Sequence, residues 1–282
     1  MDTKVQVLET NILHADGALL WLDATSGDPD DPETLAPVRE PLAVTLSTYP
    51  RDLRWRAKPG QLVLWRRPAG PPAASIVDGV ASEAERARPA LTPYRVAGTA
   101  ADPAGRFNPL AFDLDITGDA GQPLLLYRSP VGAMVPAGNT VTGGVLVGRL
   151  VFEQTGDPAL DGTPARWARL RLDVTLVPAD GDNPAQVRAF VAQADAHGDF
   201  RLLLSRLPAL PDGVPSYTAS LSATAPTGAA PEAPPAAGFA AMRLGSTRAP
   251  FALAAALALD LVPGGVARLD SAARTHLAVA PA

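Results

Sequence analysis

Thirty prolines are spread along the whole of this 282-residue chain, with 24 glycines among them. Proline has no backbone N–H to donate and a fixed φ, so it is excluded from helix interiors and from fully paired central strands. What remains open is a set of short strands joined by many turns. Apolar residues make up 47% of the chain but aromatics only 5%, so the cores are expected to consist of Val, Leu and Ala. The length suffices for two domains with separate cores.

The apolar pattern agrees. Leu170, Leu172, Val174 and Leu176 alternate with Arg169, Arg171, Asp173 and Thr175, the period of a strand with one wet face. Trp167 falls in phase with the polar set, which predicts a bulge or a partner contact before that strand. Phe112, Leu114 and Ile116 alternate with Asp113 and Asp115 in the same way. Further strands are expected over 41–48, 143–153, 187–194 and 216–223. Residues 53–68 read as a hairpin, with Pro59 and Gly60 at the centre of a type II turn. The one helix expectation is about two turns within 80–90, ending at Pro89. Loops are expected at 25–37 (acidic), 66–74 (Pro-rich) and 223–238, where Pro and Ala predict an extended, weakly packed connector. The fold class expected is all-β: tandem immunoglobulin-like antiparallel sandwiches with Pro-rich loops.

Two heptapeptides nearly coincide: ADPAGRF at 101–107 and ADAHGDF at 194–200. Each sets Asp at the first position of a type I turn and Gly at the fourth, where a positive φ is needed. Both are read as hairpin bends that return Phe107 and Phe200 to a core, and as the trace of a duplicated module. The divisions expected are 1–39, an N-terminal β extension with the acidic loop; 40–138, a first sandwich; and 139–282, a second sandwich with a Pro/Ala-rich insert at 225–238.

The run QADAHGDFRLLLSRLP, with Asp195, Gly198, Phe200, Leu202, Leu204, Leu207 and Pro208, resembles the carboxypeptidase-regulatory-like (transthyretin-like) β-sandwich domains. These carry an Asp-x-x-Gly-x-Phe turn followed by an apolar strand and a Leu-Pro. Residues 147–153, followed by 163–174, resemble the opening two strands of such a domain. Residues 261–270 resemble its closing strand pair, turning at Pro263-Gly264. The resemblance spans 143–280 and, more faintly, 93–116. It implies a non-catalytic spacer, stability module or binding platform, of the kind attached to enzymes, surface proteins and virus or tail-like particles.

Several function classes are disfavoured. A net charge of −5 argues against broad binding to nucleic acid. There is no Cys, hence no disulfide and no thiol nucleophile. The first residues lack a signal peptide, and the most apolar run, 251–262, is too short for a membrane span and contains Asp260. A soluble protein, cytoplasmic or particle-associated, is expected. His14, His197 and His276 do not share metal-ligand spacing, and no P-loop, G-x-G-x-x-G or G-x-S-x-G sequence occurs. No catalytic, cofactor or metal residue is assigned. Asp113 and Asp115, about 7 Å apart along a strand, read as a solvated face rather than a carboxylate pair. Asp28, Asp30, Asp31 and Glu33 read as a solvated loop rather than a Ca²⁺ site.

One basic-aromatic cluster stands out on the hairpin: Arg54, Trp55, Arg56, Trp65, Arg66 and Arg67. It reads as a plain hairpin with Leu53, Trp55 and Leu62 or Leu64 inward, as an interface gripping an acidic neighbour, or as a single-stranded nucleic-acid platform. The function expected is a structural or adaptor protein of a larger bacterial assembly, such as a phage tail or contractile injection apparatus. Its partners would be other protein subunits or further copies of itself. The alternative is a carbohydrate-binding module that stacks sugars on Trp55, Trp65, Trp167 and Tyr217.

Overall fold

The computed structural model describes residues 15–66, 92–118, 121–133, 143–176, 185–227 and 232–282. His14, Arg67 and the helix expected at 80–90 lie outside them. The described residues are all-β apart from one turn of 3-10 helix at Pro32–Thr34.

Seven strands lie among the described residues of the N-terminal half: β1 (Gly17–Asp23), β2 (Ala43–Thr48), β3 (Leu53–Lys58), β4 (Gln61–Arg66), β5 (Tyr94–Ala101), β6 (Leu110–Ile116) and β7 (Gly121–Leu126). One sheet runs β3-β4-β1-β7 and the other β2-β5-β6. Leu19, Trp21, Leu62, Leu64 and Leu124 of the first meet Val96, Leu110, Phe112 and Ile116 of the second in one core. Trp21 and Phe112 bridge the sheets with ring centroids 5.9 Å apart. The stretch expected to be an N-terminal extension is therefore a central strand. β1 pairs antiparallel with β4 and parallel with β7, because its alternating Leu19 and Trp21 complete the core.

The C-terminal half contains β8 (Val145–Phe152), β9 (Arg169–Leu176), β10 (Gln186–Gln193), β11 (Asp199–Leu203), β12 (Tyr217–Pro226), β13 (Phe239–Gly245), β14 (Leu253–Ala254), β15 (Leu257–Leu261), β16 (Val266–Leu269) and β17 (Leu277–Pro281). β11, β8 and β16 form one side; β10, β9, β12 and β15 form the other. The far half of β12 continues through β13 and β17 to the far half of β8, which closes one flank. A second, separate core of Leu, Ala and Val fills this half. β15 and β16 are not paired with each other as the sequence suggested. Pro263-Gly264 carries the chain from one side to the other, β15 onto β12 and β16 onto β8.

The two halves share a pairing scheme. The first strand of each lies between an antiparallel fourth strand and a parallel late one. The second strand pairs with the fifth in both. They differ in the third: β3 pairs with β4, whereas β10 pairs with β9.

The twin heptapeptides form the same local corner. Asp102 accepts backbone N–H groups from Ala104 (2.9 Å) and Arg106 (3.0 Å); Asp195 accepts from His197 (2.7 Å) and Asp199 (3.0 Å). Gly105 and Gly198 have φ of +67° and +79°. Their topological roles differ. Gly105 bends the chain between the paired strands β5 and β6. Gly198 joins β10 to β11, which belong to different sides and do not pair. The expected second hairpin is therefore a crossing between sides. The corners follow the fifth strand in one half and the third in the other, so they are not equivalent positions of a repeat.

Instead the corners meet. The Nδ2 of buried Asn108, just past the first, donates at 3.3–3.4 Å to Gln193 O and Oε1 and to Ala194 O, just before the second. Around this contact the halves are joined by the polar face of β9, which the sequence assigned to solvent. Arg171 makes two 2.7 Å bonds to Asp30 of the acidic loop. Arg169 lies 3.7 Å from the Phe239 ring centroid and 5.1 Å from that of Tyr127. Its NH2 donates at 3.2 Å to the carbonyls of Pro235 and Ala236. The described part of the Pro/Ala-rich connector beyond the strand, 232–238, is not weakly packed as the sequence suggested. Pro234 O and the Ala236 N–H bracket Ala111 of β6, each bond 2.9 Å long. Trp167 is turned inward by a left-handed backbone (φ 60°), which resolves its misfit with the strand's phase.

The two corner glycines separate strain from crowding. A Cβ at Gly105 meets nothing within 4 Å, whereas one at Gly198 comes 2.5 Å from the Leu150 carbonyl oxygen. Gly105→Ala is expected to cost about 1 kcal/mol through φ alone, and Gly198→Ala about 3 kcal/mol or more because backbone must move; urea denaturation of both variants checks the difference. Arg169→Ala, which strips the two connector carbonyls and the ring contacts, is expected to cost about 2–3 kcal/mol. Calorimetry should then resolve separate unfolding of the two halves.

Candidate functional site

A groove of about 890 Å³ lies on the outer face of the β11-β8-β16 side, rimmed by Pro130 and Val131 from the N-terminal half. Strand alternation builds it. Leu146 and Leu150 of β8 face the core, so Val147, Arg149, Val151 and Glu153 face outward. Register then sets a row across three strands: Arg201 opposite Val147, and Val147 opposite Arg268. The two arginine Cα atoms are thus two strand spacings apart, about 10 Å.

The charges are partly spent. Arg149 Nε donates to His197 O (3.0 Å) and stands 3.8 Å from Asp199. Arg268 pairs with Asp270 at 2.8 Å and donates to Thr275 O at 2.7 Å. Arg201 has no partner among the described residues, so it carries the groove's available positive charge. At one end Glu153 accepts from Arg274 Nε (2.6 Å) and shares a 2.6 Å hydrogen bond with His276 Nε2. Burial would raise the Glu153 carboxyl, but the hydrogen bonds and charges of Arg274 and His276 outweigh it and hold the group below 4.5. His276 is thus bound into this cluster. The groove combines a spare guanidinium with valine and proline walls and suits an extended acidic segment with aliphatic residues.

The basic-aromatic cluster lies elsewhere, on the β3-β4 hairpin with Gly60 at φ +78°. Trp55 is paired with Leu64, and Arg54 with Trp65. The two tryptophans therefore lie on opposite faces and do not form one platform. Trp55 shares the face of the buried Leu53, Leu62 and Leu64 but is itself exposed, in edge contact with Tyr49 at 4.9 Å. Arg54 donates to its neighbour Leu53 O, Arg56 is exposed, and Arg66 binds Asp52 at 2.7 Å. Of the other stacking candidates, Trp167 and Tyr217 are buried and present no face to a sugar.

The remaining candidates are structural. Asp113 is held by both Arg95 Nε (2.6 Å) and NH2 and is kept below its usual pKa by that pairing. In the acidic loop Asp31 caps the 3-10 turn through Glu33 N and Asp30 is taken by Arg171. Among the described residues no group of three or more His, Asp or Glu is placed to hold a metal ion, and no helix is long and apolar enough to cross a membrane. Protein-family models, curated proteins and solved structures were compared with the chain, and none matches.

Glu153→Gln should destabilise the protein by about 1–2 kcal/mol at pH 7, since two charge-assisted bonds weaken. A depressed carboxyl stabilises above its unfolded pKa and loses that effect as pH falls through the folded one. The gap between wild type and variant should therefore close on acidification below pH 4.5, as read from denaturation midpoints across pH.

Proposed function

We propose that this chain is a non-catalytic structural or adaptor protein of a larger bacterial assembly, of the phage-tail or contractile-injection kind. It is built from two tandem immunoglobulin-like sandwiches, the second transthyretin-like, and docks an acidic protein subunit in the arginine groove. The observation that carries this reading is the cross-strand row Arg201–Val147–Arg268, a flat alternation of charge and aliphatic surface suited to a polypeptide rather than to a reacting small molecule. The shared pairing scheme of the halves supports the tandem arrangement. The inter-half contacts of Asp30 with Arg171, of Asn108 with Gln193 and of Ala111 with Pro234 and Ala236 give a scaffold that holds its docking face in a fixed direction. The ionisable groups of the described residues with lowered carboxyl pKa values are engaged in ion pairs or backbone caps, an arrangement suited to holding structure.

Size exclusion with light scattering, joined to capture from native lysate and mass spectrometry, tests the reading. A complex of defined composition is expected, weakened about tenfold or more by Arg201→Glu with the circular-dichroism spectrum unchanged. A lone monomer with no stable partner would overturn it.

A further inference from the structure

A second cavity, of about 570 Å³, opens on the inner face of the closed flank, where β12, β13, β17 and β8 join. Phe152, Ala225, Ala240, Met242 and Pro281 form its floor, and Leu160 lies in the loop that roofs it. The floor lies at the open end of the core face: Ala225 is opposite Ala240, and Met242 is opposite both Ala223 and Pro281; Ala225 and Met242 are buried, whereas Ala240 and Pro281 are exposed at the mouth. Alanines at the floor leave unfilled a volume that larger side chains would occupy. An open, preformed apolar space of this size lies in the range of small-molecule sites.

The roof is rigid. Thr155 N and Oγ1 both donate to Asp161 (2.9 and 2.7 Å), Ala159 N donates to Asp157 (2.9 Å), and residues 162–163 bond to Phe152 backbone at 2.8–2.9 Å. The cavity therefore does not rely on a ligand to shape it. Its polar groups are few and directional. Thr163 and Thr227 direct their hydroxyl protons to the carbonyls of Leu160 and Gly238. Arg166, in contrast, is exposed, lines the cavity, and has no side-chain partner among the described residues. An apolar slot with one free guanidinium selects a molecule with an apolar body and one anionic head.

We propose that this cavity binds a medium-chain fatty acid, with its alkyl chain over Ala225, Ala240 and Met242 and its carboxylate on Arg166. The site opens on the other face of β8 from the docking groove, because Phe152 faces inward where Val151 and Glu153 face out; the two linings share Pro164 but neither Arg166 nor Arg201, so either can fail without the other.

The test is titration calorimetry of the whole chain with decanoate below its micelle concentration, beside decanol and decyltrimethylammonium. Saturable one-to-one binding of decanoate is expected, at least tenfold tighter than either comparison ligand. Arg166→Gln should erase that preference about tenfold while leaving decanol unchanged. Ala240→Phe, which fills the floor, should weaken all apolar binding. Absence of saturable decanoate binding, equal affinity for the cationic amphiphile, or binding unaffected by both variants would overturn the proposal.

Discussion

The joint between the halves rests on a buried guanidinium. Arg169 begins β9, a core strand of the C-terminal half, yet its charge is directed toward the N-terminal half between Tyr127 and Phe239. Burying a cation is costly unless its donors are used. Here NH2 meets the Pro235 and Ala236 carbonyls while Nε has no partner, and burial lowers the group's pKa. That partial satisfaction explains the connector's behaviour. A Pro/Ala segment has little apolar area with which to hold itself in place, but its carbonyls are good acceptors. Arginine fixes two of them, and Ala111 of β6 pairs with the same stretch.

Beside that joint, two contacts cross directly between the halves. Asp30 of the acidic loop braces Arg171, and Asn108 bonds to the chain entering the second corner. Pro130 and Val131 become one rim of a groove whose other walls lie on β8, β11 and β16. The groove is thus a product of the joint as well as of the sheet. The cavity over Ala240 is set by the closure of the flank alone.

Much of the strand content was legible because period-two alternation is a local signal. Residues 169–176, 110–116 and 186–193 are strands, and the Pro59-Gly60 turn joins two more. The groove was not legible. Arg149, Arg201 and Arg268 are far apart in sequence, and only the pairing of β11 and β16 on either side of β8 aligns them. A hint existed in the outward phase of Val147, Arg149 and Val151, but phase within one strand does not name its neighbours. The layout of the hairpin cluster was hidden for the converse reason. Closeness in sequence placed Trp55 and Trp65 together, while antiparallel register put them on opposite faces.

The heptapeptides mark the division most clearly. Asp at the first position and Gly at the fourth dictate a corner by themselves, since a carboxylate two and four residues from N–H groups and a residue free to take positive φ need nothing outside the turn. Sequence therefore determined the bend at Gly105 and Gly198, the β class and the aliphatic cores. Whether a bend closes a hairpin or carries the chain between sides depends on which distant strand offers a free edge and an apolar face. Only the tertiary structure decided that: β6 returned to β5, and β11 passed to β8.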